Sequence, residues 1–115
     1  LPDFHTGVLA TNKQFAQKHP ELIKKVLKGY LKSQEYAKEH TDEFVEFVLK
    51  RMDIEEDVLR KALERERVLW ENKLFVEVDR LKETQKLQYD LRFQDKIYDV
   101  ESIVDNSFIP ENQEE

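Results

Sequence analysis

Pro20-Glu21-Leu22-Ile23-Lys24-Lys25-Val26-Leu27-Lys28-Gly29-Tyr30-Leu31-Lys32-Ser33-Gln34-Glu35-Tyr36-Ala37-Lys38-Glu39-His40 is the stretch that decides the fold class. Leu22, Ile23, Val26, Leu27, Tyr30, Leu31 and Ala37 recur at steps of three and four, the spacing that gathers apolar side chains on one side of an α-helix. Proline is favoured at the first helical position because it has no donor to lose there, and Glu21 beside it complements the positive end of the helix dipole. The spacing predicts a helix over 20–40, roughly 30 Å long at 1.5 Å per residue.

Upstream, Thr11 with Gln14 three residues on has the form of a capping box and predicts a short helix over 12–18. Before it, Thr6-Gly7-Val8-Leu9-Ala10-Thr11 is short and apolar, and predicts a strand over 6–11. That strand has no evident mate in the remaining sequence, yet its backbone donors and acceptors need one. An orphan strand implies a missing sheet, pairing with a second copy, or a disordered segment.

Downstream, Thr41-Asp42-Glu43 predicts a cap and two dipole-matched acids opening a helix over 42–52, with Phe44, Val45, Phe47, Val48, Leu49 and Met52 on its apolar side. Asp53 with Glu56 repeats the capping-box pattern ahead of a helix over 54–70 that carries Val58, Leu59, Ala62, Leu63, Leu69 and Trp70. Asn72-Lys73 breaks the pattern. Leu74, Val78, Leu81, Leu87 and Leu91 then predict a helix over 75–93, interrupted on its apolar face by Gln85 and Gln88. A short helix over 100–104 and a mobile polar tail over 110–115 complete the reading. The fold class expected is mainly α with one short N-terminal β-strand, as a single helical domain or fragment over 1–109.

Composition supports helices and narrows function. The 115 residues suffice for one domain. Two glycines and three prolines are too few for a turn-rich sandwich or barrel. Residues 1–40 carry 7 Lys/Arg against 4 Asp/Glu, and residues 41–115 carry 12 against 21. A nucleic-acid partner is therefore disfavoured, since the lysines at 24, 25, 28 and 32 read as a solvated helix face rather than a clustered phosphate-binding surface. With no cysteine there is neither disulfide nor thiolate metal site. No apolar run exceeds three residues, so no segment reads as a membrane span or signal peptide. Leu1 in place of Met suggests a processed or cut chain, in which any targeting signal would lie upstream.

Catalytic chemistry finds no foothold. His5, His19 and His40 have no metal-ligand spacing and read as surface or cap residues. Ser33, Ser102 and Ser107 lack a Gly-x-Ser-x-Gly setting. The carboxylates Glu55, Glu56, Asp57, Glu64 and Glu66 sit at a helix start or on a charged face, not as a perturbed pair in a cleft. Trp70 could stack on a ligand, but beside Leu69 on an apolar stripe it reads as packing, as do Tyr30 and Tyr36. No enzyme, metal or cofactor is expected.

The string Val8-Leu9-Ala10-Thr11-Asn12-Lys13-Gln14-Phe15, then Lys18-His19-Pro20-Glu21-Leu22-Ile23, Tyr30-Leu31 and Tyr36-Ala37-Lys38-Glu39-His40, is similar to the C-terminal stretch of type II periplasmic solute-binding proteins of ABC transporters, in the nitrate, sulfonate, taurine and pyrimidine-precursor group. Asp53-Ile54-Glu55-Glu56-Asp57-Val58-Leu59-Arg60-Lys61-Ala62-Leu63 resembles that family's next helix, and Val100-Glu101-Ser102-Ile103-Val104-Asp105-Asn106-Ser107-Phe108 its closing segment. The family's chain is about three times longer and has two α/β lobes with the ligand between them. Its usual glycine near the end of the penultimate helix is absent around Leu91-Arg92-Phe93.

The resemblance implies the helical C-terminal portion of a periplasmic-binding-protein-like II α/β fold. It implies extracytoplasmic capture of a small molecule by lobe closure and delivery to a membrane permease. Among residues of this chain, His5, Thr6 and Gly7 are placed like a ligand-binding loop, with Gly7 offering close backbone approach. Exposed former-interface surface would also let two copies of the fragment pair as a homodimer. The competing expectation is a free-standing helical interaction or adaptor domain that binds a partner helix in a groove.

Overall fold

The computed structural model describes residues 7–65 and 74–110. Five helices form among them: α1 (Lys13–Lys18), α2 (Pro20–Glu39), α3 (Thr41–Leu49), α4 (Glu56–Arg65) and α5 (Val78–Asp90). The chain divides into two compact units. One holds the described residues up to Lys24 and from Leu74 onward, the other those from Lys25 to Arg65.

The expected strand over 6–11 is corrected by the structure. Thr6 lies outside the described residues, and 7–11 is irregular and exposed, with Val8 and Leu9 each more than half accessible. No strand forms among the described residues, so nothing satisfies the ladder bonds that would hold one. The cap of α1 also moves by one residue. Asn12, not Thr11, accepts the orphan donors, its Oδ1 receiving the N–H groups of Gln14 (2.8 Å) and Phe15 (3.3 Å).

α2 begins at Pro20, with the His19 carbonyl accepting from Leu22 and Ile23. Glu21 in its first turn pairs with Lys24 at 3.1 Å. His40 separates it from α3, and its carbonyl accepts from the Phe44 N–H (3.0 Å). Thr41, expected as the cap, is the first residue of α3 and turns its hydroxyl back to the Lys38 carbonyl (3.1 Å). α4 opens at Glu56, where the Glu55 carbonyl takes the Leu59 N–H (3.0 Å), leaving Asp53 outside the helix.

In the second unit α3 packs on α4. Val45 (1% exposed) and Leu59 are their buried apolar residues. Arg60 ties the pair on the outside, its Nε to Glu56 (2.8 Å) and its Nη1 to Asp42 (2.7 Å). Both acids hold the guanidinium in its charged form, yet the group is solvent-facing and packing dominates.

In the first unit α5 organises the segment after it. The helix ends in a Schellman arrangement: the Phe93 N–H reaches the Gln88 carbonyl (2.8 Å) and the Arg92 N–H the Tyr89 carbonyl (3.0 Å). Arg92 stands at φ 62°, where a glycine is usual, so the missing glycine is replaced by a strained arginine and the turn is kept. Residues 100–104, expected as a short helix, form turns in which the Ile103 and Val104 N–H groups share the Val100 carbonyl. Val100 and Ile109 are buried.

Candidate functional site

The residues that the sequence offers for ligand contact are His5, Thr6 and Gly7. His5 and Thr6 lie outside the described residues. Gly7 is exposed, a Cβ built on it would meet nothing within 4 Å, and its φ is not positive. Nothing inside the described chain therefore demands glycine there. Any requirement for it must come from a group that approaches from outside.

His19 and His40 both sit at helix boundaries and both meet an aromatic ring one turn earlier, His19 tilted and His40 stacked. The His19 ring centroid is 4.9 Å from that of Phe15. His40 lies nearly parallel to Tyr36 at 4.0 Å, its Nδ1 is 2.9 Å from the Tyr36 carbonyl oxygen, and the Tyr36 hydroxyl donates to Glu43 Oε2 at 2.8 Å. That hydrogen bond to a carboxylate holds the Tyr36 phenol above its ordinary value, with burial and the charge of Glu43 adding to it. Tyr36 and Tyr30 are exposed rather than packed in a core. The Tyr36–His40–Glu43 cluster joins two helices on an open surface, which suits it to fixing a junction rather than to proton transfer in a cleft.

The carboxylates behave as the sequence suggested for a charged face. Glu56 pairs with Arg60 and Asp57 with Lys61 (3.4 Å). Lys82 pairs with Glu101, lowering that carboxyl below its ordinary value through the hydrogen bond first and the charge second. Among the described residues no group of three or more His, Asp or Glu could hold a metal ion, and no helix is long and apolar enough to cross a membrane. Trp70 and Glu66 lie outside the described residues.

Two side-chain amides satisfy irregular backbone, and the sequence marked one of them, Gln85, only as an interruption of an apolar face. Gln85, on the apolar face of α5, is buried and grips Tyr98 at two points: Oε1 accepts the Tyr98 N–H (2.5 Å) and Nε2 donates to the Tyr98 carbonyl (2.9 Å). Asn106 does the same to Val76, with both bonds at 3.0 Å. Each amide reproduces the paired donor and acceptor of a neighbouring strand and so satisfies coil backbone that has no ladder partner. A buried glutamine on a predicted apolar face was the available signal, since such a group is almost always bonded.

Three comparisons with known proteins bear on identity. A family model described as NMT1/THI5 like matches residues 1–44. A Bacillus subtilis (strain 168) protein named for binding aliphatic sulfonates is 29% identical over 114 residues, covering 97% of this chain and 34% of the relative. Both matches support the ABC solute-binding protein group. The chain spans about a third of the length of that relative. The family match takes in the extended segment 7–11, α1, α2 and the opening of α3. No solved structure matches the chain at a significant level.

Proposed function

We propose that this chain is the C-terminal segment of an extracytoplasmic solute-binding protein, which captures a small anionic molecule for import by an ABC transporter and passes it to the membrane permease. The observation that carries this reading is the match along 97% of the chain to a relative named for aliphatic sulfonate binding. An alkanesulfonate is the ligand class that the relative's name suggests. His5 and Thr6 supply a ring nitrogen and a hydroxyl, and Gly7 an unobstructed backbone N–H, all of them able to donate to sulfonate oxygens.

Ligand-induced stabilisation of the intact gene product tests this. A ligand that binds only the native state adds about 2.7 kcal/mol of stability at a hundred times its dissociation constant. The melting temperature is expected to rise with ethanesulfonate more than with equimolar chloride, and the rise to shrink in His5→Ala and Thr6→Ala. If no sulfonate, sulfate or nitrate raises it, the reading is wrong.

A further inference from the structure

α2 is the longest helix described, yet none of its 20 residues is buried. Ile23, Leu27, Leu31 and Ala37 are half-buried. Beside Leu27 and Leu31, the flank marked by Val26, Gly29, Tyr30 and Ser33 at steps of three and four stands open, with Val26 57% and Tyr30 41% exposed, and only Ala37 farther along it is half-buried. Glycine weakens an exposed helix interior. Here a Cβ on Gly29 would meet nothing within 4 Å, so no contact in the chain explains it. Ser33 spends its hydroxyl on the Gly29 carbonyl (2.9 Å), and the two small residues lie alongside the larger Val26 and Tyr30. Such small residues let another backbone approach closely.

The edge of this face is basic. Lys25 and Lys32 lie four residues before and three after Gly29, and no ion pair is formed by either among the described residues, whereas Lys24 is held by Glu21. Two antiparallel copies of α2 packed on this face would bring the lysine edge against itself, which argues against self-pairing. The whole of α2 falls inside the stretch matched by the family, and about two thirds of the relative's length has no counterpart in this chain.

We infer that the Val26–Gly29–Tyr30–Ser33 face seats another segment of a longer solute-binding polypeptide, one that presents apolar surface edged by carboxylates to Lys25 and Lys32. This inference rests on the function proposed above and adds which surface joins the chain to the rest of the protein.

The chain contains no cysteine, so a single introduced thiol reports on its site without interference. Val26→Cys and Ser33→Cys test the face, and Lys28→Cys, on the solvated side, is the control. In the intact gene product the Val26→Cys and Ser33→Cys thiols are expected to react with a maleimide roughly tenfold more slowly than the Lys28→Cys thiol, while in the isolated 115-residue chain all three react alike. Equal reactivity in an intact product that binds an alkanesulfonate overturns the assigned face and leaves the proposed function standing. An intact product that proves to be this chain alone, monomeric and without sulfonate binding, overturns both. Protection in the isolated chain that tracks dimerisation in the ultracentrifuge assigns the face to a second copy and overturns the inference.

Discussion

The two units both bury apolar side chains but differ in how their backbone is satisfied. In the second, α3 lies on α4 through apolar side chains, with Val45 and Leu59 buried and charged pairs confined to the surface. In the first, two side-chain amides hold irregular backbone, Gln85 of α5 on Tyr98 and Asn106 on Val76, and Ala16, Val100 and Ile109 are buried apolar residues. Helices close their own hydrogen bonds and need only an apolar face to dock. Coil does not, and must borrow partners from side chains. A chain with few strands can thus stay ordered past its last helix, at the cost of depending on single polar residues.

That contrast can be broken most sharply at Gln85. Gln85→Leu keeps the volume but strands the Tyr98 N–H and carbonyl, and is expected to destabilise the protein by about 3 kcal/mol in urea unfolding. Hydrogen exchange should show the loss in residues 94–100 first. Val45→Ala, which empties apolar volume in the other unit, should cost about 2 kcal/mol and leave exchange at Tyr98 unchanged. Should Gln85→Leu prove neutral while Val45→Ala is costly, both units are held by apolar packing and the contrast fails.

Smaller effects sharpen it. Arg92→Gly relieves the left-handed strain at the end of α5 and is expected to stabilise by about 1 kcal/mol, read as a higher urea midpoint with unchanged slope. Asp105 accepts from the Ser107 hydroxyl (2.6 Å) and N–H (2.9 Å), and these bonds hold its carboxyl below the ordinary aspartate value. Its folded-state affinity for protons is therefore lowered. The stability it contributes is fully present above the ordinary aspartate value and is lost as pH falls through the folded one. Asp105→Asn should flatten the acid limb of the stability curve slightly, and a wholly unchanged limb would assign the turn no role.

The helices were legible because their signals are local. Pro20 with Glu21 marked the start of α2, and the three-and-four spacing through Leu31 marked its course. Caps were legible to within one or two residues: Asn12 rather than Thr11, and the Glu55 carbonyl ahead of Glu56 rather than Asp53. Neighbouring Ser, Thr, Asn and Asp compete for the same terminal donors, and the sequence does not rank them. The strand at Val8 was misread because β propensity reports a fit to a sheet that must come from elsewhere. Gln85 and Asn106 were invisible as clamps, since their partners, Tyr98 and Val76, lie 13 and 30 residues away and offer only backbone. Of the residues expected to contact a ligand only Gly7 is described, and a Cβ built there would meet nothing within 4 Å.

The most direct test of the account is a calorimetric titration with ethanesulfonate, run side by side on the intact gene product and on the 115-residue chain. Saturable, one-to-one binding is expected of the intact product and none of the chain alone, because under the proposed function the ligand sits in a cleft that this chain forms only in part. Absence of binding to the intact product, or equal binding by the isolated chain, would contradict it.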